Sequence, residues 1–412
     1  MSRMPGDLPK LERLHDINRR LSVPEYYHAC IGAHSHTLDP PREIAFVVDG
    51  EMGDAQISWQ AALDKVVAEN PGARLRLTGR CRNARWLSDG VGPRLRIVEQ
   101  CGWDGRSEVG AEFIDATPLS LENGPTAELI IAGTGKSTKV IFRVLHAVMD
   151  GIGVMHFFQE LFRALRGEAL LGTNAAFSDV ELMLNRRLRA RLPLNLKASA
   201  CLTGDARSHE TGHIWRRVSL RREQNNLLSR IALAVAEFAR THSGNIDPVC
   251  IAIPVSLRRH VPSLLSTTNF SSMIHINVNP DDTPESFRKR LHEMLNRNVD
   301  ADYHKSLELL RCLPFAWLDR LMTRTINNYA SPKLPETAVL SNLGNFQRSD
   351  LSCPGFDAQC LYGVPFESNC FSMAFGLEGR VEIVFGMTRV LADDGRLDAF
   401  VEFLEQYLDS DR

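Results

Sequence analysis

No run of apolar residues in this 412-residue chain approaches the roughly 18 that a membrane-spanning helix needs. The opening segment, Met1 to Asp7, has no apolar core of the kind a secretory signal carries. Excess charge is absent too: 48 Lys plus Arg against 50 Asp plus Glu leave a formal net charge of −2. There is thus no global field favouring nucleic acid or steering an anionic ligand from a distance. Nine cysteines, an odd count, include no Cys-x-x-Cys pair and are scattered among strands and helices, the usage of reduced core residues. No internal repeat is visible. Together these absences lead to the expectation of a cytoplasmic protein with no membrane span and no nucleic-acid partner.

What is present is a balanced globular composition, 44% hydrophobic and 24% charged, on a chain long enough for two ordinary domains. In the first half, Trp59, Leu63, Val66 and Val67 recur at helical spacing within Ile57 to Glu69. Arg74 to Leu77, Leu95 to Glu99, Glu128 to Ala132 and Lys139 to Leu145 read as strands. A helix follows from near Gly153 to Leu165, with Val154, Phe157, Phe158, Leu161 and Leu165 on one face. The pattern then loosens from Gly167 to Gly212, with one helix expected over Asp179 to Arg191 that ends in the basic run Arg186 to Arg191. That run reads as a solvated helix face or a site for phosphate groups.

The second half repeats the alternation. Trp215 to Leu220, Val249 to Val255, Met273 to Val278, Thr337 to Leu343, Phe371 to Gly376 and Val381 to Phe385 read as strands. Helices are expected over Glu223 to Thr241, from Thr283 onward, over Pro314 to Tyr329 and over Asp394 to Leu408. Thr283-Pro284 combines a threonine cap with proline in the first turn.

The segment carrying chemistry is Leu145-His146-Ala147-Val148-Met149-Asp150-Gly151: a histidine at a strand end, a carboxylate four residues on, and a glycine at the turn. A neutral imidazole can take the proton from an attacking hydroxyl, amine or thiol. The same residues also fit a structural histidine beside an Asp-Gly turn, because short motifs match by chance. The segment resembles the His-His-x-x-x-Asp-Gly signature of chloramphenicol acetyltransferase, peptide-synthetase condensation domains, wax ester synthases and polyketide-associated acyltransferases. Leu145 stands in place of the first histidine, and the second is His146. Further segments resemble that superfamily in the same order: Glu69 to Leu77, Pro118 to Pro125, Pro254 to Arg259 with Asn269-Phe270 after it, and Ser341 to Gly344. The resemblance runs from about residue 10 to 408.

What the resemblance implies is an α/β (α+β) chain of two lobes, each a mixed β-sheet with flanking helices, and a tunnel between the lobes. Residues 1–175 would form the N-terminal lobe, 176–212 the crossover and 213–412 the C-terminal lobe. It implies an acyltransferase with no bound cofactor and no metal, acting on acyl-CoA or a phosphopantetheinyl thioester as co-substrate. His146 would be the general base and no acyl-enzyme would form. Asp150 would turn from the tunnel toward Arg258, with Gly151 completing the support of the site. Ser341, Asn342 and Asn269 would line the tunnel or face the oxyanion; Ser341 and Asn342 fit a strand-end turn bonding its own backbone as well. The donor's phosphates would be read by Arg186 to Arg191 or by Arg258-Arg259. The acceptor is a small molecule, first a hydroxyl, alternatively an amine as in a free-standing condensation enzyme. The chain shows no carrier-protein serine motif, so an acyl carrier protein would be a partner in trans. A non-catalytic carrier- or acyl-binding role is a further alternative.

Other patterns point elsewhere. Gly133 to Thr138 has the Gly-Lys-Ser of a phosphate loop, but Ile130 occupies the position where that loop needs its first glycine, and the segment lies between strands. His209-Glu210-Thr211-Gly212-His213 matches a zinc hydrolase pattern that requires a helix, whereas its setting is a loop followed by a strand. His34 and His36 read as polar residues of an N-terminal loop, and His156 as solvated. Cys353 has no role beyond proximity to the Ser341 segment.

Overall fold

Val140, Ile141, Phe142 and Val144 lie within eight consecutive residues, all of them buried. β-Branched and aromatic side chains pack well on a pleated surface, and burial on both faces removes the alternation that marks a half-exposed strand. This segment is the middle of the first sheet. The computed structural model describes residues 11–34, 43–135, 137–185, 199–207, 210, 212–221, 225–242, 248–326, 336–365 and 370–409.

The strands are β1 (Asn18–Arg20), β2 (Glu43–Met52), β3 (Arg76–Thr78), β4 (Arg85–Leu87), β5 (Arg94–Val98), β6 (Ala127–Ala132), β7 (Thr138–Leu145), β8 (His213–Leu220), β9 (Val249–Ser256), β10 (Ser271–Val278), β11 (Ala338–Phe346), β12 (Phe356–Val364), β13 (Phe371–Leu377) and β14 (Arg380–Thr388). The helices are α1 (Val23–His34), α2 (Trp59–Glu69), α3 (Gly151–Leu165), α4 (Asp179–Asn185), α5 (Leu227–His242), α6 (Pro284–Asn296), α7 (Phe315–Ile326), α8 (Arg389–Ala392) and α9 (Arg396–Asp409).

Two large sheets result, and both are mixed. The first has the order β12-β2-β7-β6-β5, antiparallel except for the parallel β5–β6 pair. The second has the order β10-β9-β11-β13-β14-β8, with β11 parallel to both β9 and β13. A small sheet, β1-β4-β3, flanks the first. One core packs α2 and α3 against the first sheet through Leu63, Val66, Phe142, Phe157, Phe158 and Phe162. A second packs α5 and α9 against the second sheet through Val235, Phe238, Ile253, Phe385 and Phe400.

The lobes are not separate in sequence. β12, from the last quarter of the chain, pairs with β2 across eight registered residue pairs in the first sheet. The segment 213–412 thereby adds an edge strand to the sheet of the first half.

Several boundaries differ from the sequence expectations. Helix α3 starts at Gly151 with Asp150 as its cap, not near Gly153, because the Asp150 side chain accepts the Gly153 N–H. Pro71–Arg74 forms a 3-10 turn, so the strand begins at Arg76 rather than Arg74. The helix expected from Glu223 is described from Leu227. The closing helix starts at Arg396, after the short α8. His34, expected in a loop, ends α1, while His36 lies outside the described residues. So do the basic run Arg186 to Arg191, beyond the end of α4, and the last residues of the helix expected to reach Tyr329. Thr283 caps α6 in a box with Ser286. Gly133 and Gly135, both at positive φ, turn the hairpin between β6 and β7, as expected of a segment that is not a phosphate loop; Lys136 lies outside the described residues.

His213 opens β8 opposite Thr388, and its ring lies over Gly386, where a Cβ would come 2.7 Å from its Cε1. Burial pulls its pKa from 6.5 down to about 4. An unfolded chain would bind this proton between pH 6.5 and 4 and the folded chain would not, so stability is lost as pH falls through that window. We predict that His213→Gln narrows the fall in melting temperature between pH 7 and pH 4, read by thermal denaturation. An equal fall in the variant would remove His213 as a contributor.

Candidate active site

β7 runs between β2 and β6 and delivers His146 at its end. The Val148 N–H donates to the Leu145 carbonyl at 2.8 Å, turning the chain directly after the strand. From Thr138 to Asp150 every residue is buried except His146, which is half-buried. One polar residue is left partly exposed in a run that is otherwise sealed, and general base chemistry requires access to the imidazole. Its Nδ1 edge is covered.

The turn is held from the other half of the chain. The Asn269 side-chain amide donates to the carbonyls of His146 and Ala147, both at 2.9 Å. Asp150, 2% exposed, accepts at Oδ1 from the Gly153 N–H at 2.7 Å. Its Oδ2 accepts from the Phe270 N–H at 2.6 Å and from the Arg258 guanidinium at 2.8 Å. Arg258 also donates to the carbonyls of Ser266 and Thr268 and lies over the Phe270 ring. A buried carboxylate is tolerated when charge-assisted donors saturate it, and these three do so.

Two glycines fix how closely the halves approach. A Cβ on Gly153 would sit 2.2 Å from the Thr267 carbonyl oxygen, a backbone atom. A Cβ on Gly151 would meet the Leu343 side chain at 2.8 Å, so β11 also abuts the start of α3. Leu343 projects inward at a register shift of β11 against β13, between Asn342 and Asn345.

A residue outside every motif completes the site. His28, on α1, stacks on His146 with ring centroids 4.0 Å apart and planes 12° from parallel. No spacing in Val23–His34 marks it. It is close only because α1 packs on α7, where Tyr26 stacks on Phe315 and donates to the Leu313 carbonyl at 2.6 Å.

The remaining candidates fall as follows. Ser341 is half-buried on β11, and Asn342 is exposed, its Oδ1 accepting the Gly344 N–H at 3.0 Å in a local turn. Arg259 is held by both oxygens of Asp300, and Arg258 by Asp150, so both guanidiniums expected to read donor phosphates are engaged with carboxylates. His156, expected to be solvated, instead meets the Gly172 carbonyl at 3.0 Å, and burial lowers its pKa. Its neighbour Glu160 is buried and accepts from Leu171 and Gly172 N–H groups. His209 lies outside the described residues. His213 sits on a strand, so the helical geometry of the zinc pattern is not formed there. Among the described residues no group of three metal-ligating side chains gathers. Cys353 lines a surface depression of about 500 Å³ together with Glu51, Arg166 and Phe356. Burial pushes its thiol up to about 11, which disfavours the thiolate a nucleophile needs.

We predict that Gly153→Ala destabilises the protein by about 3 kcal/mol, the upper end of the overpacking range, since backbone must move to admit the methyl group. Gly151→Ala meets only a side-chain tip and should cost clearly less. Chemical denaturation of the two variants checks the order. Asp150→Ala leaves Arg258 uncompensated and should cost about 3 to 5 kcal/mol, far more than His146→Ala; equal losses would mean the pair carries no architecture.

Neither a protein-family model nor a curated protein matches the chain. Solved structures do. A doubly substituted starter condensation domain of rhizomide synthetase RzmA, in complex with C8-CoA and Leu-SNAC, is 14% identical, with 95% of this chain and 93% of that one covered at a TM-score of 0.68. The first condensation domain of the calcium-dependent antibiotic synthetase, in complex with a substrate analogue, is 16% identical, with 95% and 97% covered at 0.65. The chain therefore has the two-lobed, chloramphenicol acetyltransferase-like fold of condensation domains.

Proposed function

We propose that this protein transfers an acyl group from a thioester donor to a nucleophile, with His146 as general base. The observation that carries the reading is the half-buried imidazole at the end of β7, on a turn clamped by Asn269 and by the Asp150–Arg258 pair. With Nδ1 covered, Nε2 is the nitrogen offered to substrate. It takes the proton of an O–H or N–H as that atom attacks the thioester carbonyl. The tetrahedral oxyanion then collapses, the C–S bond breaks, and the imidazolium returns the proton to the departing thiolate. No side chain is acylated in this sequence.

Ser341, half-buried on β11, is our candidate oxyanion donor, and losing one such donor costs about 3 kcal/mol in the barrier. Asn342 is the weaker candidate, because its side chain serves its own turn. Asn269 acts by holding the His146 backbone, not by contacting substrate. Asp150, Gly151 and Arg258 are support. The donor is acyl-CoA or a carrier protein's phosphopantetheinyl thioester supplied in trans, and donor and acceptor meet at His146 in a tunnel between the lobes. The RzmA domain binds C8-CoA and Leu-SNAC, which supports an acyl donor of that class here and favours an amine acceptor as the reading beside the hydroxyl one. No helix among the described residues is long and apolar enough to cross a membrane, in keeping with small-molecule substrates met away from a bilayer span.

Incubation with a panel of acyl-CoA and acyl-pantetheine thioesters, with alcohols or amines added, should release free thiol. His146→Ala should lower that rate by roughly two to four orders of magnitude with the melting temperature nearly unchanged. Retention of more than about a tenth of the rate would take His146 out of the chemistry. Thiol release with alcohols but not amines, or the reverse, assigns the acceptor. Donor binding without any turnover would leave the non-catalytic carrier-binding role.

A further inference from the structure

We propose that His28 is a positioning residue for His146, fixing the plane of its ring by face-to-face stacking from α1. This rests on His146 being the general base. The two imidazoles lie with ring centroids 4.0 Å apart and planes 12° from parallel, a stacked contact closer than the separations usual for aromatic pairs. An imidazole on a strand-end turn can rotate about its Cβ–Cγ bond, and rotation carries the Nε2 lone pair, which lies in the ring plane, away from the substrate. A second ring laid over one face opposes that rotation and leaves the in-plane lone pair unobstructed.

Two nearby residues act elsewhere. Leu145, which stands where the resembled signature has its first histidine, points into the core at 2% exposure. Asn269 holds main-chain carbonyls only. His28 is itself well anchored: two residues to either side, Tyr26 stacks on Phe315 and Cys30 donates to the Phe315 carbonyl, and Tyr27 meets the His28 ring edge-on at 5.5 Å. α1 therefore keeps its place on α7 without the His28 ring, so the ring can be removed without removing the helix.

The test compares His28→Ala with His28→Phe, measuring thiol release at saturating and limiting thioester. His28→Ala should lower kcat roughly fivefold to tenfold, the scale of one aromatic pair, with KM within about twofold and an unchanged melting curve. His28→Phe keeps a flat ring and should restore kcat to within about threefold of the parent, again on the scale of that pair. In heteronuclear spectra the His146 ring protons, shifted upfield by the overlying ring, should move downfield in His28→Ala and stay upfield in His28→Phe. The proposal is overturned by full kcat in His28→Ala, by His28→Phe as impaired as His28→Ala, or by an effect confined to KM. These outcomes are separable from failure of the general-base reading, which would show as an active His146→Ala.

Discussion

One carboxylate sets the geometry on which the rest depends. Asp150 is buried, and a buried anion costs several kcal/mol unless its lone pairs are taken up. It takes up the Gly153 N–H in the first turn of α3, the Phe270 N–H and the Arg258 guanidinium. The first bond starts a helix, and the other two come from a segment more than a hundred residues away in sequence. Folding the first half alone would leave this charge short of partners, so the strand–turn–helix bearing His146 is completed only when residues 256–270 close over it. The glycines at 151 and 153 permit that closure: at each, a methyl group would collide with the other half.

The consequence is that His146, the proposed base, is placed by backbone restraint. His146 directly follows a strand paired on both sides, its carbonyl and the next are held by Asn269, and its ring lies under His28. Each restraint comes from a different element: the first sheet, the segment after β9, and α1. Such over-determination is what a catalytic imidazole needs, because misplacement by about 1 Å is enough to cost a large factor in rate.

Much of this was legible in the residues. Lys139 to Leu145 and the following helix stood out because an apolar run ends in a polar turn and then repeats at helical spacing. The Arg258 partner of Asp150 followed from the resemblance, and the mixed sheets with it. Other elements were not legible, for physical reasons. β2 is buried on both faces over much of its length and lacks the period-two alternation that reveals a strand, and β12 alternates only over Phe356 to Cys360. α1 packs Tyr26, Ala29 and Cys30 inward, a mixture of small, aromatic and sulfur side chains with no strong apolar stripe. His28 is invisible for a further reason: its meaning lies wholly in a contact across 118 positions, which local spacing does not encode. The helix α3 starts before the expected Gly153 although Asp150 is a preferred cap residue, because Gly151 reads as a turn glycine when its role is to let another chain segment approach.

The chain departs from the resembled signature at Leu145 and still holds the His146 turn in place. In Leu145 the signature loses an imidazole, and a leucine there adds apolar burial on a strand that is already wholly inside. The site does not depend on a side chain from that position, since the turn is held by its carbonyls and by the Asp150 network. What position 145 cannot offer is a planar neighbour for the His146 ring, and α1 brings one from the opposite direction. The backbone clamp is indifferent to that difference, because Asn269 holds main-chain carbonyls, atoms that every residue possesses.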